Sequence, residues 1–520
     1  MLFVVFMLFI LVCSAYICIN NSFILYLNNM TLLGNYWEIV SIFDLVSVSI
    51  LLMLSICFGY AYFYTGHYFS GYIMGIELNK IICIFVGVMA TLVLTGDFFS
   101  TLVLWEYLGV VSYFLILFYS NYLSLRSSVV TLVASRFGDV CLFIIIGVWL
   151  YSIFPSYLPA LLIFFIVITK SAGFPFISWL LEAMRAPTPV SSLVHSSTLV
   201  AAGVWFSMRY DIFVFLSDSL IILSVLLLTI FITGLCCFFF LDLKKIVALS
   251  TCNNISWCIL YLLCGDVTLS LFQLTSHGVS KCLLFMLVGD VMSGAGGSQA
   301  SNCVYVPRLY NNWGVFGLFS LVLGLSGAPF IGVFFTKHFF LTSFFLGLNY
   351  ILVGFVFLCV FLSYFYSFRL CHVLISLNNS CSAGVLFSFG SGLMVYFWLA
   401  INYFVAGTLD EAITLSQNAA NLLILFQLIS CFIAYYFYNS NFMSNWSSSL
   451  FGCDNVVEMM YAAFWESSQI VSLFFFRWDY LLLSIFHSTG FSAIRVFNFS
   501  LLNIIILLLL ISLMCCSIIY

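Results

Sequence analysis

Lys170-Ser171-Ala172-Gly173-Phe174-Pro175, followed by Ala186-Pro187-Thr188-Pro189-Val190-Ser191-Ser192-Leu193-Val194-His195-Ser196-Ser197-Thr198, is the stretch that decides how this chain is read. The lysine closes the apolar run 161–169, and a proline follows within about one and a half helical turns. A lysine at bilayer depth costs about 2.5–3.5 kcal/mol on insertion scales. Residues kept at that cost carry charge or pair with it, so the stretch reads as part of a proton or ion path inside a membrane. Pro175 removes a backbone donor and frees the carbonyl of Ser171 within a span. Such a break is tolerated where it lines protein or a hydrated cavity.

Working outward, the whole chain fits lipid. Of 520 residues, 64% are hydrophobic and 6% charged, against roughly 25% charged in an ordinary soluble domain. Apolar segments near twenty residues recur along nearly the whole length, and each can cross a core of about 30 Å. We count about fifteen such spans, from 1–19 through 385–407 and 419–438 to 498–519. The first lacks a basic start and a clear cleavage site, so it reads as a membrane helix. The nineteen cysteines show no C-x-x-C and no metal spacing, and a buried cysteine is usually a small hydrophobe. No metal site is expected. No glycine-rich phosphate loop occurs, and no basic run suits nucleic acid. Sixty phenylalanines and 29 tyrosines fit a T-rich genome, as many mitochondrial ones are.

The few charges fall in a pattern. Lys244 and Lys245 follow Asp242 in a short polar break and read as an interfacial anchor, and Lys80 opens a span, where it can snorkel. Lys170, Lys281 and Lys337 lie in or beside apolar runs, and Glu106 sits between apolar flanks in the next helix but one before Lys170. Arg136 and Asp139 share a helix face and can pair; the pair reads equally as structural or functional. His277 and Lys281, four apart, also share a face. Burial lowers the pKa of an amine and raises that of a carboxylate, and an opposite charge resists the shift. A lysine whose carboxylate moves away therefore releases its proton, and histidines bridge the gaps because they titrate near neutrality. Glu106 and Lys170 are expected to face each other within roughly 4–8 Å, directly or through water. Ser171–Ile177 echoes Ser326-Gly327-Ala328-Pro329-Phe330-Ile331, so a second break is expected at Pro329, shortly before Lys337. Two halves, each with a broken helix and a lysine, resemble transporter repeats.

These residues carry a resemblance. Trp105-Glu106, Ser135-Arg136-Phe137-Gly138-Asp139, Lys170-Ser171-Ala172, the string from Ala183-Met184 to Gly203, Asp242 to Thr251, His277 with Lys281, and Gly327-Ala328-Pro329-Phe330 with Lys337 all match. Over about 40–375 the chain resembles the antiporter-like membrane subunits of NADH:ubiquinone oxidoreductase, respiratory complex I. The Pro187–Thr198 string favours the chain 5 type over its sister types 2 and 4. The resemblance implies an all-α polytopic fold with two inverted five-helix repeats and broken helices. It implies N-terminal helices at 1–79, repeats at 80–209 and 212–371, C-terminal membrane helices at 372–453, a lateral amphipathic helix at 454–488 and an anchor helix within 489–520. Fewer helices precede Asp44 than in relatives, so the N-terminal part is expected to be shortened. The lateral helix is expected to lie flat on the membrane, with a reach of only about 50 Å.

The resemblance also assigns roles. Glu106 and Lys170 would be the switch of the first half-channel. His195, His277 and Lys281 would form the central relay, and Lys337 the exit-side lysine of the second. Arg136, Asp139, Glu182, Pro175 and Pro329 would support them, Glu182 as an added acid in the path. Arg185 and His338 depart from the family pattern. The implied function is proton translocation in the mitochondrial inner membrane as part of an H+-translocating NADH:ubiquinone reductase. No redox centre is expected in this chain. Flavin, iron–sulfur clusters and ubiquinone would sit on partner subunits, among them the chain 4 and chain 2 homologues; lipids would be further partners, and nucleic acid none. The rival readings are a stand-alone Mrp-type cation/proton antiporter and a structural membrane scaffold.

Overall fold

A computed structural model of the chain describes residues 22–32, 35–69, 72–151, 157–210, 219–304, 312–327, 332–344, 350–375, 398–400, 402, 417–438, 453–486 and 507–508. The helices expected at 1–19 and 498–519, most of that at 385–407, and Pro329 lie outside the described residues. Two units are present, Met1–Cys453 and Asp454–Tyr520.

Among the described residues the first unit is helical apart from one hairpin, which the sequence reading missed. Strands β1 (Phe23–Leu32) and β2 (Asn35–Phe43) pair antiparallel from Phe23↔Phe43 to Leu32↔Asn35, with an irregularity at Tyr26/Asn28. β2 is rich in aromatic and β-branched residues, the types that favour strands. Asp44 ends the hairpin and caps helix α1 (Leu45–Tyr68) through a reciprocal bond with Ser47. It also receives Arg209 at 2.8 Å. The hairpin is tied inward where Gly96 N–H donates to the Val40 carbonyl at 2.9 Å. A side chain on Gly96 would strike Ile42.

Helices α2 (Ile73–Leu94), α3 (Phe98–Leu117) and α4 (Tyr122–Tyr151) follow. The expected start of a repeat at residue 80 therefore falls inside α2. The next expected span is broken: α5 (Tyr157–Ser171) stops, Ala172 takes a left-handed φ of 55°, the Phe174–Pro175 bond is cis, and α6 (Ser178–Ala183) resumes. The break thus lies before the proline rather than one turn around it, and its loose carbonyls are taken from elsewhere. The Trp179 indole donates to Thr169 O at 3.0 Å, and the Cys252 thiol to Ala172 O. A third composite span runs from α7 (Thr188–Leu193) through a π turn (Val194–Thr198) into α8 (Leu199–Arg209). Pro187 and Pro189 suit a helix start, where their missing N–H groups cost nothing.

Helices α9 (Ser219–Phe239), α10 (Leu243–Leu263) and α11 (Val267–Gly294) come next, then α12 (Asn312–Ser326) and α13 (Phe334–Phe344), which flank the second expected break. Gly327 there has φ 96°. α14 (Tyr350–Ile375) and α15 (Gln417–Tyr438) complete the first unit. Among the described residues, nine helices are long and apolar enough to cross a membrane. In the spans Thr188–Arg209, Leu243–Leu263 and Val267–Gly294, 100%, 94% and 94% of the apolar window is buried; in Tyr122–Gly147 it is 28%. The first three form the core, and α4 is the least buried of these nine. The second unit contains all but the first residue of α16 (Cys453–Phe486), one uninterrupted helix of 34 residues whose described side chains are exposed.

Candidate functional site

The buried charges gather along two of the helix breaks. In the first half, Arg136 on α4 pairs closely with Glu106 on α3 and lies 3.5 Å from Asp139, its neighbour on α4. The Arg136–Asp139 pairing read from spacing is present, but Glu106 is held by Arg136 and not by Lys170. Among the described residues Lys170 makes no hydrogen bond and no ion pair. Its ammonium lies 5.1 Å from the centre of the Trp105 ring, and both side chains are buried. A desolvated contact of this kind is worth about 2 kcal/mol, comparable to the insertion cost of the charge. Asp139 is the carboxylate that acts most strongly on Lys170, followed by Glu106, with Arg136 opposing. Lys170 therefore has a carboxylate pair within electrostatic reach but rests on an aromatic face.

Lys170 also borders a small cavity, about 10 Å³ by the room it offers to a water's centre. One water needs roughly 10–15 Å³ on that measure. Ser112, Thr131, Ser135 and Thr169 supply hydroxyls to the wall, and His195 and Trp179 close it. His195 sits in the π turn, edge-on to Trp179 with centroids 6.5 Å apart. Neither of its ring nitrogens has a protein partner among the described residues, and the same holds for His277. Buried polar atoms are nearly always satisfied, so both rings call for water. Lys170 and His195 line the same cavity.

The centre is built on α10 and α11. Lys281 donates to the Ser250 hydroxyl and, at 3.3 Å, to the Val247 carbonyl. From there the chain of contacts runs on. Asn254 donates to Ser250 O at 2.9 Å, Gln273 to Asn254 Oδ1 at 3.3 Å, and Thr336 to Gln273 Oε1 at 2.6 Å. Lys337 is next along α13. Its ammonium donates to Ser326 O and Ser363 Oγ, both at 2.7 Å, and lies 5.4 Å from the Tyr364 ring centre. Ser326 O is the last helical carbonyl of α12, where the helix dipole is negative. Lys170 likewise occupies the final turn of its half-helix.

Three features escaped the sequence reading. Lys244 is no surface anchor: it is 4% exposed and donates to the Ala186 carbonyl at 3.1 Å, while Lys245 alone reaches outward to Asp242 at 3.3 Å. Adjacent residues on a helix point about 100° apart, which allows one lysine of a pair to be buried. Asn254 and Gln273 were missed because neutral amides carry no charge signal. Glu182 was expected in the path, but it pairs with Arg185 at 3.1 Å, is 35% exposed and does not line the cavity.

Comparisons with known proteins bear on the family and the fold. Residues 95–363 match the family described as NADH:quinone oxidoreductase/Mrp antiporter, TM. NADH-ubiquinone oxidoreductase chain 5 of Caenorhabditis elegans is 35% identical over 63% of this chain and 66% of its own length. That of Aedes aegypti is 30% identical over 82% and 81%. The chain thus spans just under two thirds of the nematode protein. Among solved structures, the Mrp complex from Dietzia sp. DQ12-45-1b superposes with TM-score 0.70 at 19% identity, over 93% of this chain and 58% of that one. Respiratory complex I from Thermus thermophilus with bound NADH superposes with TM-score 0.65 at 15% identity, over 82% and 93%. A broken-helix membrane fold with buried lysines, matched along half its length by one family and at 30% identity to a nearly full-length relative, places the chain in the NADH:quinone oxidoreductase/Mrp antiporter family, with the chain 5 proteins of NADH-ubiquinone oxidoreductase.

Proposed function

We propose that this chain is a proton-translocating membrane-arm subunit of respiratory complex I in the mitochondrial inner membrane. The observation that carries the reading is the string of ionisable and hydrogen-bonding groups through the bundle, most of them buried: the Glu106–Arg136–Asp139 set, Lys170, the cavity that His195 also lines, then His277, Lys281, the amide chain and Lys337. The carboxylates, lysines and histidines among them can take up and release a proton, while Arg136 stays charged and the amides hold the chain of hydrogen bonds between them. Each ionisable group is also costly at depth, which favours a transport role over packing. Lys170 is the moving part. It rests on Trp105 while Arg136 occupies the carboxylates, and it meets Asp139 or Glu106 when Arg136 lets go. NADH oxidation on flavin and iron–sulfur clusters, and ubiquinone reduction, take place on partner subunits; the chain 4 and chain 2 homologues and lipid are its membrane neighbours. A stand-alone cation/proton antiporter is the rival, and the chain 5 relatives at 30–38% identity weigh against it.

The test is Lys170→Met in membranes carrying the assembled complex. The substitution keeps most of the volume and removes a charge. Proton translocation is expected to collapse and NADH:quinone turnover to fall with it, while native gels show full assembly. Normal pumping in the assembled variant would make Lys170 structural and favour the scaffold.

A further inference from the structure

One titratable pair in the first unit belongs to neither half of this relay. His67 lies in the last turn of α1 and Asp290 near the end of α11, with His67 Nε2 3.6 Å from Asp290 Oδ1. The imidazole is 23% exposed and the carboxylate 2%. The pair therefore joins the outside of the bundle to its interior. Tyr64, one turn back on α1, stands 6.2 Å from the His67 ring, centre to centre.

Inward from the pair runs a seam between α11 and the segment 188–198. Small residues on α11 pack against a run of hydroxyl residues there. Gly289 lies against Thr188, where an added Cβ would stand 3.3 Å from Oγ1, and Gly278 lies against Met53 and Ser197, where an added Cβ would stand 3.4 Å from Ser197 Cβ; Ser192 falls between them along the same segment, its hydroxyl donating to the Pro189 carbonyl at 2.8 Å. All three hydroxyl residues are no more than 2% exposed. Thr188, Ser192 and Ser197 are about one turn apart, and the π turn takes up the longer second step. The column starts at the level of Asp290 and ends beside Gly278, next to His277, in the same turn that holds His195. A hydroxyl both donates and accepts, so a column of them, with water between, can relay a proton.

We propose that His67 and Asp290 form the solvent-facing mouth of a proton port, which joins the central histidines along the Thr188, Ser192 and Ser197 hydroxyls. The proposal rests on the proton-translocation reading above and adds an opening to it. At the mouth, an N–H bond of the His67 imidazolium breaks and an O–H bond forms on the Asp290 carboxylate. The imidazole is left neutral and takes the next proton from solvent. Asp290 then releases its proton inward to the hydroxyl column. An exposed base beside a buried acid is suited to this, since histidine exchanges protons readily near neutrality.

The experiment uses assembled complex in native membranes and three variants. Asp290→Asn keeps the shape and removes the ionisable carboxyl. His67→Ala opens a surface site that free imidazole can enter. Lys170→Met reports on the underlying function. Both port variants are expected to assemble and to translocate protons about a hundredfold more slowly or worse, within the range that a single acid–base group contributes. Imidazole added to His67→Ala should restore translocation in proportion to its protonated fraction, while thiazole, with the same ring shape but little affinity for protons, should not. Equal rescue by the two rings would mean that the histidine only fills space, and would overturn the port. If Asp290→Asn fails to assemble, His67→Ala decides, and full pumping in it overturns the port. Loss of pumping in Lys170→Met alone refutes the port and leaves the function standing. Full pumping in all three refutes both.

Discussion

Lys170 and Lys337 occupy the same kind of place. Each ammonium lies near the carbonyl end of a half-helix and over an aromatic ring, Trp105 at 5.1 Å and Tyr364 at 5.4 Å. The ring face offers a charge somewhere to rest that is neither water nor a carboxylate. Trp105→Leu is therefore expected to leave assembly intact and lower NADH:quinone turnover several-fold, because Lys170 loses its resting site. Unchanged turnover in that variant would show that the ring is packing only. At this scale the sequence was legible wherever spacing within one helix governed the outcome. Arg136 with Asp139 is such a case. It was illegible where partners come from different helices: Arg136 and Glu106 are 30 positions apart, and nothing in the string ranks Arg136 above Lys170 as the partner of Glu106. Lys244 was misread for a related reason, since two adjacent lysines look alike until the helix turns one of them inward.

Among the elements, close approach to the first break depends on Gly203. α8 lies so near α5 that a Cβ at this position would stand 2.9 Å from the Val167 carbonyl and 3.3 Å from the Ser171 nitrogen. Both are backbone atoms and cannot swing aside. Gly203→Ala should therefore destabilise the bundle by about 1–3 kcal/mol, the usual cost of overpacking. Thermal inactivation of the assembled complex would record it as a lower midpoint. The amide chain between α10, α11 and α13 makes a second prediction. Gln273→Leu strands Asn254 Oδ1, at about 1–3 kcal/mol, and leaves the Thr336 hydroxyl on the Val333 carbonyl at 3.0 Å. It should also uncouple Lys281 from Lys337, seen as fewer protons pumped per NADH oxidised. The positions of most helices were readable from apolar length alone, and both breaks from proline and glycine. The hairpin at 23–43 was not, because its apolar strands resemble short helix segments until pairing decides between them.

Taken whole, the first unit is graded from lipid-like to polar. Outer helices present large apolar side chains, with Phe137, Val140 and Phe143 on α4 each more than half exposed, while α10 and α11 hide almost everything they carry. Cost and function therefore separate by depth. A charge on the outer face has no partner to offset it, so Val140→Lys should oppose insertion by about 2.5–3.5 kcal/mol. Less of the chain should then resist alkaline extraction from membranes, and assembled complex should drop in step. The overall class was plain from composition, because 6% charged residues cannot cover a soluble protein of this length. The site was only half visible: composition reveals which ionisable groups are out of place but not the neutral hydroxyls and amides that connect them.

The π turn at Val194–Thr198 has a consequence for the ways in which this segment can vary. It holds one residue more than an α turn, and that residue rotates everything after it by about 100°. Deleting any one position from the turn would restore a regular helix and swing Gly203, Trp205 and Phe206 away from the surfaces they now meet. Adding one would do the same in the opposite sense. The phase of the helix, more than the identity of its side chains, keeps the front half in step with the back. A change of length in this segment is therefore less tolerable than an exchange that keeps its volume and polarity.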